Sequence, residues 1–106
     1  MTRKIYIAGP VTGIPERNSH VFGSVSDALT SAGYKVVNPL RLVPPDMDSH
    51  SAMKRLIPEL CACDGVCLLD GWETSAGACV EVAVARACGL EIGDLEYWIV
   101  SLGGER

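Results

Sequence analysis

A chain of 106 residues, 48% hydrophobic and 21% charged, has the size and balance of one soluble domain with a single core. Its formal net charge of -4, with no block of Lys or Arg, excludes a general surface for a nucleic-acid polymer. Met1 to Lys4 runs straight into a strand-like stretch, and no run approaches the roughly 20 apolar residues of a membrane span, so no membrane partner and a cytoplasmic location are expected.

Lys4 to Ala8 is a short β-rich run stopped by Gly9-Pro10, and Val11 to Asn18 follows as a loop. Val21, Phe22, Val25, Ala28 and Leu29 recur at helical spacing, with Ala32-Gly33 as the stop. Tyr34 to Val37 reads as the second strand, ended by Asn38-Pro39. Leu40 to Ser51, with Pro44-Pro45 and two aspartates, reads as a long surface loop.

Ala52 to Ala62 is predicted helical, with Met53, Leu56, Ile57 and Leu60 as its buried stripe. Pro58 is expected to kink or split it. Asp64-Gly65 turns the chain into an unbroken apolar run, Val66 to Leu69, of the kind found in strands covered on both faces. Ser75 to Cys88 is the next helix, its circumference mostly apolar and therefore expected to be mostly buried. Gly89 ends it, Leu90 to Ile92 is a short fourth strand, and Leu95, Trp98, Ile99 and Leu102 outline a last helix. Five cysteines, an odd number without a repeated CxxC unit, fit reduced small hydrophobes inside apolar segments; no metal site is expected from them.

Strictly alternating strands and helices imply an α/β fold: a small Rossmann- or flavodoxin-like parallel sheet of four to five strands with helices on both faces, spanning residues 1–106 as a single domain. Ligands of such sheets bind beyond the carboxyl ends of the strands. The loops Gly9 to Asn18 and Asp70 to Thr74 therefore converge on one crevice, bringing Gly9, Gly71, Ser75 and Glu81 together. The first loop lacks both the Gly-Lys-Ser/Thr of a P-loop and the GxGxxG of dinucleotide sites, and no cofactor is expected.

Ser75 stands where an N-cap belongs, either simply capping the helix or helping its free N–H groups hold an oxyanion that Gly77 lets approach. Glu81, four residues on, shares the face of Gly77. It is either a satisfied or edge-exposed carboxylate, or a nucleophile or base at the crevice floor. Attack by a carboxylate on an anomeric carbon is the logic of retaining glycosidases.

Three motifs carry a family resemblance: Tyr6-Ile7-Ala8-Gly9-Pro10-Val11-Thr12-Gly13, Gly33-Tyr34-Lys35-Val36-Val37-Asn38-Pro39, and the long run from Cys63 through Leu68-Leu69-Asp70-Gly71-Trp72-Glu73-Thr74-Ser75 to Glu81. Over about residues 4 to 92 the chain resembles the nucleoside 2-deoxyribosyltransferase superfamily, in a small phage and bacterial branch known mainly as a domain of unknown function. The resemblance implies cleavage of, or transfer across, the N-glycosidic bond of a deoxyribonucleoside or its 5′-monophosphate, with Glu81 as the nucleophile. It implies that Gly9, Arg17, Asn18, Ser75 and Gly77 contact the ligand, with Ser75 tilting the choice towards a phosphorylated one; Tyr6, Asp70 and Trp72 are further candidate ligand contacts. It also implies a homodimer or higher homo-oligomer, and the host cytoplasm if the chain is phage-encoded. Trp72, Tyr97 and Trp98 are candidate interface residues, and Trp72 is equally a candidate to stack on a base.

The chain departs from the superfamily's pattern at Leu56, where active relatives often carry an aspartate. Asp46, Asp48, Asp70 and Glu16 are the candidate replacement acids. A non-catalytic nucleotide-binding module using the same crevice is the alternative reading, and a purely structural or interaction protein is a third.

Overall fold

The computed structural model describes residues 2–104, with side chains through residue 100. Strands β1 (Lys4–Ala8), β2 (Lys35–Val37), β3 (Gly65–Leu68) and β4 (Glu91–Asp94) form one sheet in the order β2-β1-β3-β4, all parallel. Helices α1 (Ser19–Ser31), α2 (Ser49–Cys61), α3 (Ala76–Ala87) and α4 (Leu95–Gly104) cover it. This is the small flavodoxin-like arrangement, and β4, not a fifth strand, closes the sheet on its side. No helix among the described residues is long and apolar enough to cross a membrane.

Side chains alternate across the sheet. Ile5, Ile7 and Cys67 point to one face, where Phe22, Val25 and Leu29 of α1 and Trp98 of α4 pack on them. Tyr6, Ala8 and Val66 point to the other, against Leu60 of α2 and Ala85 of α3. Both faces are covered, which is why β1 and β3 are apolar without a polar alternation.

Trp98 is not an interface residue: it is fully buried, its Nε1–H donates to the Val66 carbonyl at 2.8 Å, and its ring meets Tyr34 edge-on at 5.6 Å. Gly65 makes the room, because a methyl group there would collide with the Trp98 ring. Val21 lies off the Phe22/Val25/Leu29 stripe and is 40% exposed. Pro58 does not split α2, which runs unbroken with the proline on its exposed side. The helix also starts three residues earlier than its apolar stripe suggests, because Asp48 caps it by accepting from the Ser51 N–H at 2.9 Å. Burial in α3 is confined to Ala78, Glu81, Val82 and Ala85, and Val80 is 49% exposed. Only Cys63 and Cys67 of the five cysteines are buried. The Leu102 side chain of the predicted last helix lies outside the described residues.

Candidate functional site

In the order β2-β1-β3-β4 the chain reverses its direction of winding between β1 and β3: α1 leaves β1 on one face, whereas α3 leaves β3 on the other. A crevice opens beyond the carboxyl ends of strands at such a point. Here it is a cavity of about 780 Å³, walled by the loop after β1, the segment Pro39 to Met47, and the first turns of α2 and α3. The segment expected to be a surface loop is mostly exposed, as expected, and its Leu40, Val43, Pro44, Pro45 and Met47 also line the cavity. Its signal was present in the sequence as apolar residues interleaved with prolines, a pattern unneeded in a purely solvated loop.

The chain enters α3 through a tight turn. Gly71 takes a φ of +83°, a left-handed conformation that favours glycine, and Thr74 Oγ1 donates to its carbonyl at 2.7 Å. Ser75 is extended, and its Oγ accepts from the Ala78 N–H at 3.2 Å, so it caps α3. The N–H groups of Ala76 and Gly77 are left without a partner among the described residues, and both residues line the cavity. Gly77 keeps that turn open. A methyl group on it would approach nothing closer than Met53 Sδ at 3.9 Å.

Glu81 follows one turn later on the same face. It is 6% exposed, and among the described residues it is the buried charged side chain of the core. The Tyr6 hydroxyl, from the middle of β1, donates to its Oε2 at 2.5 Å. No buried polar side-chain atom among the described residues lacks a partner, so Oε1, which makes no bond, opens on the cavity that Glu81 lines. Burial pushes the carboxyl up to about 7, against the Tyr6 hydrogen bond, which lowers it. Burial and the neighbouring carboxylate push the Tyr6 hydroxyl well above its ordinary value, so it stays a donor.

The loop after β1 carries backbone strain. Glu16, Arg17 and Asn18 take φ values of 54°, 56° and 62°, three consecutive left-handed residues without a glycine. Arg17 Nη1 donates to the Val43 carbonyl at 2.8 Å, and Asn18 Nδ2 donates to the Pro10 carbonyl at 3.1 Å. These bonds hold the turn and bring Arg17 to the cavity, where it and Glu81 are the charged side chains of the lining. Strain of this kind persists where the surroundings over-determine it. Gly9, at the strand end, is held by crowding, since a methyl group there would lie 2.7 Å from Leu69 Cβ.

The structure therefore gathers Gly9, Arg17, Ser75, Gly77 and Glu81 around one cavity, with Tyr6 directly behind Glu81. Tyr6, Asn18, Asp70, Gly71 and Trp72 are not on the lining: Tyr6 is fully buried behind Glu81, Asn18 braces the loop, Asp70 is exposed, and Gly71 and Trp72 lie in the turn before α3. Leu56 does line the cavity, whereas Asp46, Asp48, Asp70 and Glu16 do not. The hydroxyl residues Thr12, Ser49 and Thr74 are lining residues that the sequence alone did not single out.

Over residues 3–94 the chain matches the model of a family described as a domain of unknown function, DUF4406. It belongs to that family. The match runs from β1 to the end of β4, so all the lining residues of the cavity are contributed by the family domain. No curated protein matches the chain.

Proposed function

We propose that the chain cleaves the N-glycosidic bond of a deoxyribonucleoside or its 5′-monophosphate, passing the sugar to water or to a second base through a glycosyl ester on Glu81. The observation that carries this reading is Glu81 itself: a buried carboxylate, held through Oε2 by Tyr6, with Oε1 open to a cavity large enough for a nucleotide. A carboxylate held by one oxygen presents the other in a fixed direction, which is what attack on an anomeric carbon requires.

In the first step Oε1 bonds to the anomeric carbon as the carbon–nitrogen bond breaks, and the electron pair leaves with the base, which takes up a proton. In the second, water or another base displaces the carboxylate and restores Glu81. The free N–H groups of Ala76 and Gly77 and the Arg17 guanidinium suit an anionic group on the sugar. Function in the cytoplasm as a homodimer or higher homo-oligomer is part of the same proposal; the exposed Val80 face of α3 and Tyr97 are surfaces available for it.

The second reading, a nucleotide-binding module without turnover, is favoured by one observation. Leu56 lines the cavity, and Glu81 is the one carboxyl there among the described residues, so no side-chain acid stands ready to protonate a departing base. Incubation with a panel of deoxynucleosides and deoxynucleoside monophosphates, with free base quantified, separates the two. The enzyme reading predicts base release that falls at least about 1,000-fold in Glu81→Gln. Saturable binding without release in either protein assigns the cavity to the module instead.

A further inference from the structure

The cavity lining offers a carboxylate that can form a bond but no side chain that can give up a proton to a departing base. Among the described residues its charged side chains are Glu81 and Arg17, and no Asp, His, Lys, Tyr or Cys joins them. Glu81 must be ionised to attack, and a guanidinium keeps its protons. Glu16, Asp46, Asp48 and Glu73 neighbour lining residues in the chain, but all four are exposed and none reaches the cavity. Asp48 is committed besides: its Oδ1 accepts from the Ser51 N–H and its Oδ2 from the Ser51 hydroxyl, both at 2.9 Å. Those bonds hold its carboxyl below the usual carboxylate range, so it carries no proton to give. Tyr6 aims its hydroxyl proton at Glu81 Oε2 from behind, at 2.5 Å, and not into the cavity. The walls from α2 and from residues 39–47 are mainly apolar, with Leu40, Val43, Met47, Met53 and Leu56.

We propose that the substrates are deoxyribonucleosides or their 5′-monophosphates whose base leaves without being protonated: uracil-type bases with an acidic ring N–H, and purines already made cationic by N7-alkylation. This selectivity rests on the glycosyl-ester reading of Glu81 and names the substrate class of the same site. As Oε1 bonds to the anomeric carbon, the carbon–nitrogen bond breaks and its electron pair stays on the ring nitrogen. A uracil departs as an anion whose charge spreads onto its two carbonyl oxygens, and it takes a proton from water after release. An N7-alkylated guanine departs neutral, because the electron pair cancels the positive charge of the ring. Cytosine and adenine form far more basic anions and need a proton as the bond breaks, which this lining does not supply. A placed general acid accelerates such a step by roughly 100- to 10,000-fold, and its absence sets the scale of the selectivity.

The test measures base release in single turnovers, with the full chain in excess over substrate, near pH 6 and with spontaneous hydrolysis subtracted. One series holds the deoxynucleoside 5′-monophosphates of thymine, uracil, 5-bromouracil and 5-fluorouracil, which differ little in size but differ in the acidity of the departing N–H. Cytosine is added to it, and guanine is compared with N7-methylguanine. The rate is expected to rise roughly fivefold or more for each pKa unit by which the departing base becomes more acidic. Cytosine should leave at least about 100-fold more slowly than 5-fluorouracil, and N7-methylguanine at least about 100-fold faster than guanine. A rate independent of leaving-group acidity, with cytosine and guanine released as fast as the activated bases, would overturn the selectivity and leave the Glu81 chemistry standing. No release from any member of either series would overturn the glycosyl-ester reading itself, and the selectivity with it.

Discussion

At the scale of single residues, the proposed chemistry rests on how the fold treats Glu81. A carboxyl in a buried helix face takes its proton more readily than in water, and here the two states balance near neutrality because the group sits at about 7. A nucleophile must be ionised, so base release is expected to rise with pH through about 7 and level off above it. Tyr6 opposes the burial by donating to the ionised form. Tyr6→Phe should therefore move the rising limb to higher pH, measured as kcat/KM from pH 5 to 9; an unmoved limb would show that the hydroxyl does not tune the carboxyl.

The same shift has a sign for stability. The folded value, about 7, lies above the ordinary 4.5, so the native state holds the extra proton. Glu81's contribution is complete below about 4.5 and is lost as pH rises through about 7. The loss amounts to about 3 kcal/mol at pH 8. Glu81→Gln, which does not titrate, should melt at least about 5 °C above the parent at pH 8, with the gap closing towards pH 5. A gap independent of pH would mean that the carboxyl is not ionised at a cost inside the fold. Ser75 and Glu81 were legible because a cap before an apolar helix and a lone acid within it are local patterns. That Tyr6 is the partner of Glu81 was not legible, because 75 residues separate them and only the sheet brings them together.

At the scale of elements, the strand ends and first helical turns shape the cavity, and two glycines there do different work. Gly9→Ala forces a methyl group onto the Leu69 side chain at 2.7 Å and should cost about 1–3 kcal/mol, visible as a lower denaturation midpoint. Gly77→Ala meets only Met53 Sδ at 3.9 Å and improves helix propensity, so its stability should hold or rise by up to about 1 kcal/mol. Its turnover should nevertheless fall at least about tenfold if ligand approaches the α3 N-terminus. Unchanged kinetics in a stable Gly77→Ala protein would move the ligand away from that turn. The helix periods located α1, α2 and α3, but the start of α2 escaped them because it is set by Asp48 and Ser51, polar residues with no part in the stripe. The left-handed turn at Glu16 to Asn18 was equally hidden, since its residue types do not favour that conformation and tertiary bonds to Val43 and Pro10 impose it.

At the scale of the whole molecule, alternation of strands and helices was enough to place the crevice, because a parallel sheet with crossovers on both faces leaves one point where the winding reverses. Trp98 was misplaced for a corresponding reason. Nothing near it in sequence reveals that Gly65, 33 positions earlier, leaves a slot over β3 for an indole ring. Closure of the core by Trp98 and of the cavity by Pro39 to Met47 both depend on segments meeting only in the finished fold. The proposed chemistry, however, turns on one bond to one atom, Oε1 of Glu81. A reaction with a turned-over deoxynucleoside or deoxynucleotide, quenched in acid during turnover, digested and mapped by mass spectrometry, tests it most directly. A deoxyribosyl group is expected on the peptide containing Glu81 and is expected to be absent in Glu81→Gln. Base release with the sugar carried on another residue, or with no glycosylated peptide at any quench time, would contradict it.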